Sequence, residues 1–276
     1  MSLKKSKVLI IIPTYNEREN IEKIVDQVLN LPPKADSPIR VAGDLNLLII
    51  DDNSPDGTGE ISEGLKAAQS VIARSPDKIG TTKQSHMTEL EQSSQSQLEI
   101  IHREKKLGLG TAYIQGFKWA LVRDFDFIFT MDADFSHNPE CFLGFLKKLK
   151  SYDLVVGSRY VKGGCNSMPV HRKIISRLGN LYAKTVLCMP VNDCTSGFMG
   201  FRRKVLENIN LDEVKSEGYG FLIEMKYRAH KLGYKIFEYP IFFADRSIGK
   251  SKISKNIIWE AIFLVWKLKF MEIQPQ

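Results

Sequence analysis

Short apolar runs alternate with segments of helical spacing as far as Gly157, and this alternation restricts the fold more than any other feature of the chain. Strands that alternate with helices form a parallel sheet with helices on both faces. The predicted strands are Val8–Ile12, Leu45–Ile50, Leu98–His102, Phe125–Met131 and Asp153–Gly157. The predicted helices are Glu17–Leu29, Gly57–Ala73, Thr111–Val122 and Pro139–Lys150.

After Gly157 the alternation of strands and helices is less regular. We expect this half of the chain to bind the second of two substrates, the one that accepts a transferred group. It contains helical spacing in His171–Leu187 and Phe221–Leu232 and strand-like runs in Gly197–Arg202 and Tyr234–Tyr239. We therefore predict an α/β fold with a doubly wound, mainly parallel sheet. Residues 1–245 form one predicted domain, and residues 246–276 form a basic loop and an amphipathic helix.

Between Ser75 and Gln97 the composition shifts to Ser, Gln, Thr and Lys, with few large apolar residues. Such a segment buries too little apolar surface to offset the entropy of ordering it. We predict a disordered insertion there.

Polar clusters follow three of the predicted strands directly. They are Pro13–Glu17, Asp51–Ser54 and Asp132–Asp134. In doubly wound sheets, ligands bind beyond the carboxyl ends of the strands. The three clusters are therefore predicted to meet on one rim of the sheet.

The pair Asp132 and Asp134, separated by Ala133, ends an apolar strand and favours a divalent cation held by oxygen ligands and shared with substrate phosphates. The alternative is that one carboxylate caps the helix near Pro139 while the other is solvated. Asp51 and Asp52 favour recognition of nucleoside hydroxyl or N–H groups. For the neighbouring Ser54 and Asp56 the alternative is an ordinary helix cap.

Arginines near the same rim are suited to phosphate. Arg159 follows the fifth predicted strand, and Arg172 and Ser176 lie four residues apart on one helical face. The loop Arg246–Lys252 combines glycine with cations, as closure over a diphosphate requires. For the arginines the alternative is solvated charge, and for the loop it is a charged linker leading into the last helix.

The net charge of +7 favours anionic partners, but no nucleic-acid-reading motif accompanies it, so we expect no nucleic acid. The four cysteines and five histidines show no metal-ligand spacing. The longest apolar stretch, residues 257–266, is too short to span a bilayer and contains Glu260.

Five short motifs occur in order along the chain: Ile12–Glu17, Asp51–Thr58, Asp132–Asp134, Gly157–Tyr160 and Asp193–Phe198. Together they resemble the family 2 inverting glycosyltransferases of GT-A fold, and among these most closely the dolichyl-phosphate mannosyltransferases. The resemblance covers nearly the whole chain except Ser75–Gln97.

This resemblance implies transfer of mannose from GDP-mannose to dolichyl phosphate with inversion, and a requirement for Mg²⁺ or Mn²⁺. The residues implied to hold the guanosine are Pro13, Tyr15, Glu17, Ile50 and Asp52. Those implied to hold the metal and diphosphate are Asp132, Ala133 and Asp134, with Arg246 and Lys252 closing over the donor. The implied acceptor-phosphate residues are Arg159, Arg172 and Ser176.

One position departs from the resemblance. Some relatives carry Gln as a further metal ligand where this chain has Ser136, so the metal would take an extra water or be selected differently. Two alternative functions remain open from the sequence. They are a dolichyl-phosphate glucosyltransferase and a non-catalytic nucleotide-sugar-binding subunit.

A membrane surface is a further expected partner, because the acceptor's tail stays in a bilayer. From Arg246 to Gln276 there are six Lys or Arg against two Glu, with Trp259 and Trp266 at an apolar stretch, which is typical of an interfacial helix. The alternative is a core helix. We expect peripheral attachment at the cytosolic face of the endoplasmic reticulum, with a small membrane subunit as an additional anchor.

Overall fold

The computed structural model describes residues 6–31, 45–74, 97–245 and 255–275. Its strands are β1 Val8–Thr14, β2 Leu45–Asp51, β3 Gln97–His102, β4 Phe127–Thr130, β5 Leu154–Ser158, β6 Cys165–Asn166, β7 Met199–Arg202, β8 Ile236–Pro240 and β9 Phe242–Phe243. Its α-helices are α1 Ile21–Leu29, α2 Thr58–Arg74, α3 Leu109–Leu121, α4 Cys141–Lys148, α5 Val170–Leu187, α6 Arg203–Asn208, α7 Gly218–Lys231 and α8 Lys255–Lys269.

Seven strands form one mixed sheet in the order β3-β2-β1-β4-β7-β5-β8. All neighbouring pairs are parallel except those of β7, which runs antiparallel to both β4 and β5. The predicted α/β, mainly parallel sheet is therefore confirmed. The direction of β7 was not predicted, because an apolar run specifies a strand without specifying its orientation.

The sheet is buried on both faces, as its continuous apolar strands require. In β1, Ile10 and Ile12 belong to one core cluster, while Leu9 and Ile11 belong to the cluster on the opposite face. Successive side chains of a strand point to opposite faces, so one apolar run supplies both layers of core. Helices α3 and α7 cover one face, and α1 and α4 cover the other.

The C-terminal helix α8 packs on the body of the molecule through one of its faces. Val265 and Leu268 are buried against Ala183 and Leu187 of α5. The opposite face exposes large apolar side chains, namely Phe263 and Trp266, with Phe270 following the helix. The packed face agrees with the alternative of a core helix, whereas the interfacial helix stays a prediction.

Two predicted features fall on residues that the structure does not describe. Residues 75–96 of the predicted insertion lie outside the described residues, whereas Gln97 already belongs to β3. The loop 246–254, with Arg246 and Lys252, lies outside them as well. Within the described residues, no helix is both long and apolar enough to cross a membrane.

Close approach of β4 to β7 depends on a glycine, and this yields a stability prediction. A Cβ at Gly200 would lie 2.7 Å from Cδ1 of Phe129, in the buried core. We expect Gly200→Ala to lower the free energy of unfolding by about 1–3 kcal/mol through overpacking.

The control is Gly64→Ala in α2, where a new Cβ meets no atom within 4 Å. That substitution is expected to raise stability by about 0.5–1 kcal/mol, because alanine favours the helix interior. Urea unfolding of both variants measures the contrast. Equal effects of the two substitutions would contradict the packing of β4 against β7.

Candidate active site

The three predicted polar clusters meet at the carboxyl edge of the sheet, as expected from the sequence. In the β1–β2 register Thr14 lies opposite Asp51. The residue after β4, Met131, donates its N–H to the Ile11 carbonyl at 3.1 Å. The loops after β1 and β2 are joined directly, since the Asn16 N–H donates to Ser54 Oγ at 3.0 Å. The prediction that the three polar clusters meet on one rim of the sheet is thus confirmed.

Asp51 is an internal connector of this rim. Its Oδ1 accepts hydrogen bonds from Thr14 Oγ1 at 3.1 Å and from Ser54 Oγ at 2.5 Å, and its carboxylate is buried. A buried carboxylate held by two hydroxyl groups orients the loops rather than a ligand. Asp56 accepts from the N–H of Thr58, the first residue of α2, at 3.0 Å, so its carboxylate satisfies a main-chain donor at the start of this helix.

Asp52 is paired with Arg103, a residue that the sequence reasoning did not select. Arg103 Nη1 donates to Asp52 Oδ1 at 2.6 Å, and both side chains are buried. Asp52 Oδ2 accepts from the N–H groups of Leu107 and Gly108 at 3.3 and 3.2 Å. These partners fix the position of the Asp52 carboxylate. A nucleoside can therefore bind only to the lone pairs of the carboxylate oxygens that the partners leave unoccupied.

The other predicted guanosine residues surround the same rim. Pro13 is the last but one residue of β1, and the centroid of the Tyr15 ring lies 3.7 Å from Lys106 Nζ. Glu17 accepts from Asn20 Nδ2 at 2.7 Å. The Ile50 side chain is fully buried in the core, so only its main chain can contact a nucleoside.

Asp132 and Asp134 follow β4 and are positioned by a short, unusual turn. Phe135 has a φ of 58°, in the left-handed region that residues other than glycine rarely adopt. This turn lets Ser136 N donate to Asp134 Oδ1 at 3.0 Å. The N-cap of α4 is Glu140, with no side-chain capping bond, so the alternative that one of the aspartates caps this helix is not observed.

Two buried rings hold the main chain and carboxylate of Asp132. Tyr113 Oη from α3 donates to Asp132 Oδ1 at 3.5 Å, and Asp132 N donates to His137 Nδ1 at 3.3 Å. Burial lowers the pKa of His137 despite the opposing charges of Asp132 and Asp134. The imidazole is therefore neutral and accepts at Nδ1.

The donor set fits a hard divalent cation. Besides the two carboxylates, Ser136 Oγ is buried and has no hydrogen-bond partner within the described residues. Those residues contain no cluster of three or more His, Cys, Asp or Glu that could bind a metal. Mg²⁺ is commonly held by one or two carboxylates, with substrate phosphates and water completing its six ligands. Asp132, Asp134 and Ser136 could supply the protein's share.

The loop 193–198 forms the opposite wall of the site and fixes Arg159. Arg159 donates from Nε to Asp193 Oδ2 at 2.7 Å and from Nη2 to Oδ1 at 2.6 Å. Burial by itself would lower the pKa of Arg159, but the hydrogen bonds and charge of Asp193 outweigh it and raise that pKa. Arg159 is therefore a permanently charged group with a fixed orientation.

Buried side chains hold this loop from behind. Lys226 Nζ donates to the carbonyls of Cys194 at 3.0 Å and Ser196 at 2.7 Å, and Thr130 Oγ1 donates to the Gly197 carbonyl at 2.6 Å. A Cβ at Gly197 would lie 3.7 Å from Asp132 Oδ1, so the loop abuts the aspartate pair. The walls on both sides of Asp132 are thus rigidly connected.

The other predicted acceptor residues lie on α5. Arg172 Nη1 donates to both carboxylate oxygens of Asp245 at 2.9 and 3.1 Å. Ser176 Oγ accepts from Tyr160 Oη at 2.7 Å. Arg172 Nε is buried without a hydrogen-bond partner in the described part of the chain, so it keeps a donor available.

Several residues of the site were missed by sequence reasoning, and one signal could have found some of them. Arg103 directly follows β3, and His137 lies in the loop after β4. Since ligands bind beyond the carboxyl ends of the strands, the argument that selected the aspartates could also have selected these two residues. Tyr113 and Lys226 lie inside helices among apolar residues. Nothing in their spacing distinguishes them from core positions.

Because the Arg159–Asp193 ion pair is buried, removing its negative charge should lower the free energy of unfolding far more than the same change in an exposed ion pair. Asp193→Asn keeps the shape but leaves the buried Arg159 without a counter-charge, and we expect a loss of about 3–5 kcal/mol in the free energy of unfolding. Glu207→Gln, in the surface pair with Arg203, should change it by less than about 1 kcal/mol. Urea unfolding of both variants is the measurement, and similar losses would refute the buried pairing.

Lys226 predicts a pH dependence of stability. Burial lowers its pKa from an ordinary 10.5 to about 8. Between these values the unfolded chain binds more protons at this residue than the folded chain, so its contribution to the free energy of unfolding increases with pH. The increase should be about 2 kcal/mol between about pH 7.5 and about pH 9.5.

The measurement compares the wild type with Lys226→Met, which lacks the titrating group, by urea unfolding at both pH values. The wild type is expected to gain stability relative to the variant as the pH rises. A stability difference that stays constant with pH would contradict the buried position of Lys226.

Two known proteins are similar in sequence to nearly the whole of this chain. The polyprenol monophosphomannose synthase of Mycolicibacterium smegmatis is 38% identical over 261 residues, which are 94% of this chain and 85% of that protein. The undecaprenyl-phosphate mannosyltransferase of Micrococcus luteus is 37% identical over 257 residues, covering 93% of this chain and 91% of that protein.

Solved structures share the fold at lower identity. Glucosyl-3-phosphoglycerate synthase from Mycobacterium tuberculosis, in complex with Mn²⁺, UDP and glucosyl-3-phosphoglycerate, has a TM-score of 0.56 at 17% identity and covers 95% of this chain and 78% of its own. The same enzyme with Mg²⁺ and UDP has a TM-score of 0.60 at 15% identity, covering 97% and 80%.

These likenesses confirm the predicted GT-A type of fold. The family model for glycosyl transferase family 2 matches residues 9–209, which include the aspartate pair and the 193–198 loop. The chain belongs to glycosyl transferase family 2 and is a glycosyltransferase.

Proposed function

We propose that this glycosyltransferase transfers mannose to a polyprenyl phosphate, with GDP-mannose as the donor and dolichyl phosphate as the acceptor. The mannosyltransferase names of the two relatives, at 38% and 37% identity, support the sugar and the class of acceptor. The observation that carries the proposal is the aspartate pair enclosed between the Asp52 rim and the Arg159 loop. A nucleotide, a diphosphate and a second phosphate would lie there in that order.

The donor would lie with its nucleoside along the loops after β1 and β2. Tyr15 offers an aromatic face beside the base, and Glu17 and the fixed Asp52 offer carboxylate oxygens to its N–H or ribose hydroxyl groups. Pro13 and the Ile50 main chain complete this surface. The diphosphate would then approach Asp132, Ala133 and Asp134. Arg246 and Lys252 remain proposed donor residues, from outside the described part of the chain.

A divalent ion, Mg²⁺ or Mn²⁺, when held by Asp132, Asp134 and Ser136, would neutralise the charge of the leaving diphosphate. The acceptor phosphate is largely dianionic near pH 7, because its second pKa is about 6. It needs no protein base to become a nucleophile. Its oxygen forms the bond to the anomeric carbon, while the bond from that carbon to the diphosphate breaks and its electron pair leaves with GDP.

Protein side chains would contribute position and charge to this displacement. Arg159 is held by Asp193 at one fixed orientation, and Arg172 keeps a buried Nε donor available for a phosphate oxygen. Ser176, fixed by Tyr160, adds a hydroxyl group. The acceptor phosphate would attack the anomeric carbon on the side opposite to the leaving diphosphate. Such a displacement inverts the anomeric configuration and gives a β-linked product from an α-linked donor.

We also propose that the protein acts at the cytosolic face of the endoplasmic reticulum as a peripheral protein, with a small membrane subunit as an additional anchor. The support is the lipid acceptor and the exposed apolar face of α8, which carries Phe263 and Trp266. Tryptophan and basic residues on one amphipathic helix are typical of interfacial helices.

The test is a radiolabelled sugar-transfer assay on the purified full chain. GDP-mannose and UDP-glucose are offered separately, each with dolichyl or undecaprenyl phosphate, with and without Mg²⁺ or Mn²⁺. The proposal predicts a mannolipid that forms from GDP-mannose only when metal is present. Transfer from UDP-glucose alone would establish the glucosyltransferase alternative, and no transfer under any condition would favour a non-catalytic subunit.

A variant pair tests the aspartate site in the same assay. Asp134→Ala removes a carboxylate from the proposed metal site, and we expect turnover to fall by at least about a hundredfold. Asp124→Ala, at an exposed position before the start of β4 and outside every motif, should keep full turnover. Near-normal activity of Asp134→Ala would refute the metal assignment.

A further inference from the structure

His137, in the loop after β4, lies between two walls of the candidate active site. One wall carries Asp132 and Asp134, and the other is the loop 193–198 together with Arg159, which is hydrogen-bonded to it. His137 is only 3% exposed. The proposed displacement gives this residue no part, yet its ring contacts both walls.

The Nδ1 atom of His137 contacts the aspartate wall. Asp132 donates its main-chain N–H to this nitrogen at 3.3 Å. Between the two residues Phe135 has a φ of 58°, and such a strained conformation persists only where the surrounding structure holds it. The bond to Nδ1 is one of the contacts that hold this turn. It therefore helps to fix the main chain from which the Asp132 carboxylate projects.

The ring of His137 contacts the opposite wall. Phe198, at the end of the loop 193–198, stacks on it with ring centroids 4.7 Å apart and planes 8° from parallel. Phe243 of β9 meets it edge-on at 5.8 Å. The guanidinium carbon of Arg159 lies 5.1 Å from the centroid of Phe243. A series of direct contacts thus leads from Asp132 through His137 to Arg159.

Phe198 is also held on its other sides, so it cannot absorb a shift of the His137 ring. The rings of Phe142 and Phe145, both in α4, lie 5.1 and 4.7 Å from it. Closely packed interiors transmit displacements instead of absorbing them. A movement of the aspartate turn would therefore also move the loop that contains Asp193, the partner of Arg159.

We propose that His137 is a positioning residue that sets the separation between the cation-binding aspartates and the wall that holds Arg159. Its Nδ1 fixes the aspartate side, and its ring fixes the Arg159 side. This inference rests on the proposed function, in which the two walls bring a diphosphate and an acceptor phosphate together. Misplacement of reacting groups by about 1 Å can cost about a hundredfold in rate, so a fixed separation has a direct effect on turnover.

A residue that only fills the core would behave differently. Phenylalanine has a ring of similar size and would replace such a residue without loss. A positioning residue with two separate contacts needs both the nitrogen and the ring. Substitutions that remove one contact at a time therefore distinguish the two cases.

His137→Phe keeps the ring and removes the nitrogen, whereas His137→Asn removes the ring and keeps an acceptor oxygen close to the Nδ1 position. We expect His137→Phe to bind Mn²⁺ about tenfold more weakly, because the Asp132 N–H loses its acceptor, and to keep its affinity for the acceptor phosphate. We expect His137→Asn to show the opposite pattern, with about tenfold weaker binding of the acceptor phosphate and wild-type affinity for Mn²⁺.

Both affinities are measured on the full chain without turnover. Electron paramagnetic resonance of free Mn²⁺ gives the metal affinity in the presence of GDP, and calorimetric titration with a short, water-soluble polyprenyl phosphate gives the acceptor affinity. Asp134→Ala should lose Mn²⁺ binding, which assigns the ion to the aspartate pair. The matched controls are His230→Phe and His230→Asn, at the C-terminal end of α7, and they should change neither affinity.

His137→Gln provides a further comparison with His137→Asn. Both variants lose the ring, but the glutamine amide reaches the position of Nε2 instead of Nδ1. His137→Gln should therefore bind Mn²⁺ about tenfold more weakly than His137→Asn. Urea unfolding shows whether each variant is folded. If the amide variants unfold, His137→Phe still decides, because wild-type Mn²⁺ affinity in that variant overturns the proposal.

The proposal is overturned if His137→Phe and His137→Asn lose both affinities together, as a purely structural residue would require. Equal Mn²⁺ binding by the asparagine and glutamine variants would also overturn it. A wild type that binds no Mn²⁺ overturns this inference together with the metal assignment. Failure of the proposed function has a different signature, in which the variants follow the expected pattern of binding but the wild type transfers no mannose.

Discussion

Burial of charge at the carboxyl edge of the sheet is the constraint on which the rest of the site depends. Asp52, Asp193, Arg159 and Lys226 are all removed from most solvent, and each therefore needs a partner. Arg103, the Arg159–Asp193 pair and the loop carbonyls supply these partners. Because each pairing joins two different strand ends or loops, satisfying the charges also fixes the shape of the site.

That rigidity suits a reaction whose nucleophile arrives already charged. An acceptor phosphate needs no general base, so the protein's task is to bring two phosphate-bearing molecules together and to compensate their repulsion. The proposed function divides these tasks between two walls of the site. The aspartate pair lies on one wall, where a cation would offset the donor diphosphate, and Arg159 lies on the other wall, with Arg172 and Ser176 on α5 beyond it.

Much of this arrangement could be predicted from sequence, for a physical reason. Continuous apolar strands followed at once by Pro13–Glu17, Asp51–Ser54 and Asp132–Asp134 define a parallel sheet with one polar rim, because parallel strands end on the same side. Contacts between distant segments could not be predicted, since periodicity reports burial and not partners. The pairing of Asp52 with Arg103, the antiparallel β7 and the buried Lys226 within α7 are of this kind.

In the proposed function, Asp132 and Asp134 hold a divalent cation against the donor diphosphate. The most direct measurement is anomalous diffraction at the manganese edge from crystals of the protein grown with Mn²⁺ and GDP. We predict an anomalous peak between the two carboxylates, in contact with the diphosphate of GDP. GDP bound at the rim with no peak there, or with manganese only at other residues, would contradict it.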